Sequence, residues 1–231
     1  MAGTEALLFF VVVPVLAWAA ELLVIRGAYE ATARDLASRS LSVPTNRVYV
    51  VLSYGAVSVF LGLALWALSI PLTGQIDAGT GPGFSHAQSL LIWTAVAYGT
   101  AAIVTAAARA LMLRARFGAL MGHDFGRILP LSVIPHTGTV YALVLGFLVL
   151  GAIENYVSGA ATLAQANVDG AVASLQAYAI ATLGFLAGAL ASNRIQDLSL
   201  RGYQRALLFV AVGELPAVLG LVWAFLAIGK L

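Results

Sequence analysis

The chain has no cysteine among its 231 residues, which excludes disulfides, thiolate metal sites and cysteine nucleophiles. Charge is the second scarcity. Asp, Glu, Lys and Arg make up 10% of the sequence, against about a quarter in water-soluble domains. The three histidines, His86, His123 and His136, are scattered and show no metal-ligand spacing. Gly-rich phosphate loops and stripes of basic and aromatic residues are both lacking, so the net charge of +2 does not point to nucleic acid. What is abundant is apolar surface: 61% hydrophobic residues and a mean hydropathy of +0.95. A water-soluble fold cannot hide that much, and lipid is the expected solvent.

Windows of about 20 residues predict six membrane-spanning helices, over Ala6–Ile25, Val48–Pro71, Leu90–Leu113, Ile128–Ile153, Val172–Ala191 and Ala206–Ile228. Each can cross a hydrocarbon core of about 30 Å at roughly 1.5 Å per residue. The first run holds Pro14 and Glu21 and lacks a basic n-region, so it reads as a retained helix rather than a cleaved signal.

Basic residues alternate between the connections. Arg26, Arg34, Arg39 and Arg47 fall in the first, Arg109, Arg114, Arg116 and Arg127 in the third, and Arg194, Arg201 and Arg205 in the fifth. The second and fourth carry no Lys or Arg, only Asp77, Glu154 and Asp169, and Lys230 follows the last run. The positive-inside rule then predicts cytoplasmic odd connections and both termini outside.

The even-numbered runs share a register. Arg47, Arg127 and Arg205 open them; nine residues later come Ala56, His136 and Glu214; six further on come Gly62, Ala142 and Gly220. The step from Arg47 to Arg127 is nearly matched by the step from Arg127 to Arg205. With the charge alternation, this predicts an all-α membrane protein of three tandem helical hairpins: 1–75 a divergent first hairpin, 76–154 a second, and 155–231 a third that carries Glu214. Nine helical residues rise about 13–14 Å, close to half the core thickness, which puts Glu214 near the bilayer midplane.

A carboxylate at that depth costs about 2.5–3.5 kcal/mol on insertion scales. A group that takes up a proton, crosses lipid uncharged and releases it at water or a positive charge meets the requirement of a proton carrier. The plainer alternative is a structural Glu bonded to a neighbouring helix. Pro216 cannot donate to the carbonyl of Val212, which leaves that oxygen free near Glu214. Glu21, about one turn from Arg26, reads as half of an interfacial ion pair. His136 holds the carboxylate position of the second repeat and reads as a neutral spacer or hydrogen-bonding group.

These residues resemble the proteolipid rotor-ring subunit, c or K, of V-type and A-type rotary ATPases. Phe125–Leu150, FGRILPLSVIPHTGTVYALVLGFLVL, is similar to that family's second helix, with Pro135-His136-Thr137-Gly138 and then Tyr141 where members that lost the carboxylate carry a Pro-Gly-Thr-Gln-type motif. Arg205–Leu231, RALLFVAVGELPAVLGLVWAFLAIGKL, is similar to the final helix, whose essential Glu matches Glu214, followed by Gly220. The likeness covers about residues 88–231, and residues 1–75 join it through the repeat register alone, as in triple-hairpin members.

The resemblance implies copies of the chain in a membrane ring, a stator subunit whose membrane arginine favours the ionised carboxylate, and central-stalk subunits held at the Arg-rich cytoplasmic loops. ATP chemistry would lie on other subunits, with no cofactor here. It implies Glu214 as the ion carrier, with Thr137 and Tyr141 as its neighbours. Sodium-coupled members add Gln where this chain has Gly138 and, on the preceding helix, near Ala187, so the transported ion is expected to be a proton. The competing expectations are a small secondary transporter with a site formed by Glu214 and His136 between hairpins, and a structural membrane protein. A transporter would carry broken helices and several intramembrane polar groups, and few are legible in the sequence.

Overall fold

A computed structural model describes residues 2–41, 45–121, 125–195 and 199–231. The described residues are helical, with no strand: α1 (Ala2–Leu7), a π-helical turn at Leu8–Val12, α2 (Val13–Ser38), α3 (Thr45–Ala78), α4 (Pro82–Met121), α5 (Phe125–Val133), a 3-10 turn at Ile134–His136, α6 (Thr137–Val157), α7 (Gln165–Ala181), α8 (Leu183–Asn193) and α9 (Leu200–Ile228). They form six continuous stretches long and apolar enough to cross a membrane, Gly3–Ser38, Asn46–Ala78, Pro82–Ala119, Phe125–Val157, Gln165–Asn193 and Leu200–Ile228.

These stretches run 29 to 38 residues, longer than the apolar windows, and the difference corrects the reading of the basic connections. A hydropathy window sees only the hydrocarbon part of a helix, whereas backbone hydrogen bonding carries the helix on beyond it. The extension of α2 is polar and supports itself through pairs one turn apart, with Arg26 Nε on Glu30 at 2.9 Å and Arg39 Nη2 on Asp35 at 3.2 Å. Arg26, Arg34, Arg109, Arg114 and Arg116 therefore lie on helices, not in loops. His86 is in α4, its Nδ1 3.2 Å from the Leu163 carbonyl, while His123 lies outside the described residues.

The helices form two layers. α2 packs on α4, and α4 on α7 and α8; beside them α3 packs on α6, and α6 on α9. Across the layers α2 meets α3, α4 meets α5 and α6, and α7 and α8 meet α9. Among the described residues, extensive contact is absent between α2 and α7 or α8, and between α3 and α9. The result is an open arc whose middle is best covered: the apolar window of Pro82–Ala119 is 67% buried and that of Gly3–Ser38 only 22%.

Close crossings depend on missing side chains. A Cβ on Gly62 would stand 1.8 Å from the Phe10 carbonyl oxygen, and one on Gly213 would stand 2.6 Å from the Gly184 oxygen. Backbone cannot retreat as a flexible side chain can. Gly62→Ala is expected to cost about 1–3 kcal/mol through overpacking, read as a lower denaturant midpoint in detergent micelles.

Several spans are less regular than the sequence suggested. Besides the π turn at Leu8–Val12 and the 3-10 turn at Ile134–His136, the fifth span breaks at Thr182. The cause in the fourth is covalent, since Pro130 and Pro135 lack the N–H that would continue the ladder. The flanking residues Val133, His136, Thr137 and Thr182 nonetheless keep right-handed helical dihedrals, so the chain does not unwind at these points.

Candidate functional site

Glu214 is the middle residue of α9, Leu200–Ile228. Its side chain is neither on the open outer face nor fully enclosed: the residue is half-buried, between buried Gly213 and exposed Leu215. Gly213 lets α8 approach at Gly184 and Gly188, and this crossing fixes α9 on one side of the acid. On the other side lies α6. The Tyr141 hydroxyl donates to Glu214 Oε1 at 2.6 Å, within the ordinary range for an O–H···O bond. Thr137 stands one turn before Tyr141 on α6, with its hydroxyl beside the phenol, and donates to the Ile134 carbonyl at 2.8 Å. The structure thus brings together Glu214, Tyr141 and Thr137 from two helices far apart in sequence. Around them the outer face of α9 is apolar and open, with Leu208, Val212, Leu215, Leu219 and Trp223 all exposed.

His136 belongs to a different junction. It is buried, with Nδ1 3.4 Å from Ser58 Oγ on α3 and the Tyr54 carbonyl beside the ring. Among the described residues no hydrogen bond or ion pair joins His136 to Glu214, so the two do not form one site. The charged group that faces His136 is Arg109.

Glu21 corrects the sequence reading most. It is not paired with Arg26, which bonds Glu30 instead. Its side chain is 1% exposed and its Oε1 lies 2.7 Å from Arg109 Nη1, with Oε2 at 3.1 Å from the same nitrogen. The rest of the guanidinium is satisfied by backbone: Nε donates to the Ser132 carbonyl at 3.0 Å and Nη2 to the Val51 carbonyl at 3.1 Å. One arginine therefore ties together α2, α3, α4 and α5. A second, Arg116, reaches from α4 to the end of α8, donating to the Ser192 hydroxyl at 3.2 Å and to the Ser192 and Ile195 carbonyls, where a cation suits the negative end of the helix dipole.

The sequence held a signal for the Glu21–Arg109 pair. Both residues fall within or at the edge of apolar runs, one acid and one base, and a charge in hydrocarbon demands a partner. Assigning Arg109 to a loop hid it. Chemically, Glu21–Arg109 is a closed, mutually neutralised pair, whereas Glu214 has, among the described residues, a phenol partner and an apolar, accessible surround. No family model, curated protein or solved structure matches the chain.

Proposed function

We propose that the chain is a rotor-ring subunit of a rotary ATPase, of the V or A type, in which Glu214 carries one proton through reversible protonation. The supporting observation is the Tyr141–Glu214 hydrogen bond at mid-helix, on a half-buried face bordered by exposed apolar side chains. An acid wholly enclosed would have no route to water or a stator, and one wholly exposed to lipid would have nothing to orient it. The phenol holds the carboxylate while leaving one edge open. The stator's arginine would draw the proton off at that edge, and re-protonation would let the acid pass lipid uncharged, avoiding the insertion cost of about 2.5–3.5 kcal/mol.

The tandem-hairpin reading is supported by the two-layer packing, in which odd-numbered spans line one side and even-numbered spans the other. The arc with its sparsely covered ends is what a ring segment requires. With the basic helix extensions and connections in the cytoplasm, both termini lie outside, and those arginines face the central stalk. The lack of Gln at Gly138 and near Ala187 leaves too few oxygen ligands for sodium, which favours a proton. ATP hydrolysis or synthesis belongs to partner subunits.

The irregular spans and the buried ion pair give the transporter reading more support than the sequence did. α4 is also kinked at Arg116, whose dihedrals (φ −129°, ψ 16°) are not helical. Two observations weigh against it: helical dihedrals persist through the breaks at Ile134–His136 and Thr182, and His136 and Glu214 sit at separate junctions.

Dicyclohexylcarbodiimide is the direct test: it is expected to modify Glu214 and stop ATP-driven proton uptake, and uptake that continues with Glu214 modified rejects the reading. Tyr141→Phe removes a hydrogen bond to a charged group, worth about 1.5–3 kcal/mol. It is expected to slow proton translocation about tenfold or more in reconstituted vesicles, with ring assembly on native gels unchanged.

A further inference from the structure

One buried side chain touches both helices that form the Glu214 site. Tyr178 on α7 is fully enclosed, and its hydroxyl donates to the carbonyl of Gly138 on α6. That carbonyl opens the turn from which Tyr141 projects, and the Tyr141 phenol lies near enough to Tyr178 to act on it electrostatically. The other flank of Tyr178 lies against α9. A Cβ on Gly220 would stand 3.2 Å from the Tyr178 Cα and 3.5 Å from its Cδ2. Gly220 follows Glu214 by less than two helical turns.

The Tyr141–Glu214 bond needs such a brace. Both residues are only half-buried, so neither side chain is caged by its own surroundings. The 2.6 Å bond between them spans two helices, and a hydrogen bond is lost when its ends drift apart by about 1 Å. The separation of α6 and α9 therefore sets its length. Tyr178 is bonded to the first of these helices and packed on the second.

Among the described residues the same brace occurs once more, without an acid to hold. Tyr98 on α4 donates to the carbonyl of Ser58 on α3, and both residues precede Tyr178 and Gly138 by the step from Arg47 to Arg127. There the counterpart of Tyr141 is Leu61, which has no hydroxyl, and the place of Glu214 is taken by His136. The brace is a packing device of the repeat, and only at the Tyr178 junction do a phenol and an acid depend on it.

We propose that Tyr178 is a positioning residue for Glu214: anchored on the Gly138 carbonyl, it holds the Tyr141 turn of α6 against α9 and so keeps the phenol on the carboxylate. Its consequence for transport rests on the proton-carrier reading above; its effect on the carboxylate does not.

The test is the rate at which dicyclohexylcarbodiimide modifies Glu214 in the full chain in native membranes, followed by mass spectrometry. Tyr141→Phe frees a carboxylate oxygen to attack the reagent, and Tyr178→Phe is expected to do the same by loosening Tyr141, each raising the rate about threefold or more. The double variant is expected to react no faster than Tyr141→Phe, because Tyr178 acts through that phenol. Tyr98→Phe loses the equivalent bond and serves as the control for general loosening: it is expected to lower the denaturant midpoint as much as Tyr178→Phe while Glu214 reacts at the wild-type rate. A wild-type rate in Tyr178→Phe or in Tyr141→Phe, multiplying effects in the double variant, or an equal acceleration by Tyr98→Phe overturns the proposal. Should Tyr178→Phe fail to fold, Tyr178→4-aminophenylalanine keeps a weaker donor of similar reach and must shift the rate in the same direction, with the shift lost beside Tyr141→Phe. ATP-driven proton uptake in the same membranes separates the two readings. Faster labelling in Tyr178→Phe with unchanged uptake keeps the brace and removes the carrier, whereas unchanged labelling in Tyr178→Phe with uptake slowed by Tyr141→Phe does the reverse.

Discussion

Glu214→Gln is expected to abolish ATP-driven proton uptake completely in a reconstituted complex, while leaving the chain folded and assembled. Glutamine preserves the size of the side chain and can still accept the Tyr141 hydrogen bond seen at 2.6 Å. It cannot take up and release a proton, so packing survives and the carrier does not. Glu214→Asp keeps the chemistry but withdraws the carboxylate by about one methylene from Tyr141, and partial activity is the expected result. Uptake by Glu214→Gln at the wild-type rate would rule out the carrier role. Loss of assembly together with uptake would make Glu214 a packing residue instead, and blue-native electrophoresis separates the two outcomes.

The second large effect belongs to the enclosed ion pair. Arg109→Ala is expected to destabilise the fold by about 3–5 kcal/mol, because it leaves Glu21 charged, dry and unpaired. Glu21→Ala should cost a similar amount, since it strands the guanidinium. Replacing both together, Glu21→Leu with Arg109→Met, is expected to recover most of the loss: well-packed apolar pairs often match or exceed a buried ion pair in stability. The Val51 and Ser132 carbonyls that Arg109 also reaches belong to helical segments, so losing their extra donor is tolerable. A double-mutant cycle on denaturant midpoints in detergent micelles measures the coupling. Additive single losses would show that the pair does not act as a unit. The contrast with Glu214 is physical: an acid enclosed in an ion pair with a guanidinium is poorly suited to repeated proton exchange, whereas an acid held by a phenol beside an open face is not so constrained.

The number of spans, their approximate positions and the mid-helix place of Glu214 were legible in the sequence because each depends on local quantities: apolar run length, helical rise and the spacing from Arg205. Tyr141 and Thr137 were named as candidate neighbours of Glu214 from the motif; the Tyr141 hydroxyl bonds the carboxylate, while Thr137 reaches the phenol and the Ile134 carbonyl. Pairings in space were less legible. Glu21 lies nearer in sequence to Arg26 than to Arg109, and sequence proximity suggested the wrong partner. Only the packing of α2 on α4 brings Arg109 within 2.7 Å of it.

By itself the sequence determined that the chain is helical, with six segments long and apolar enough to cross a membrane, because hydrocarbon admits only segments that satisfy their own backbone hydrogen bonds. The tertiary structure decided which polar groups meet. It closed Glu21 onto Arg109 and set Glu214 against Tyr141. A charge in lipid must find a counter-charge or a hydrogen-bond partner, but which one it finds depends on helix rotation and crossing. Those are set by small residues such as Gly62 and Gly213 acting together across the whole bundle, and no local stretch of sequence contains them.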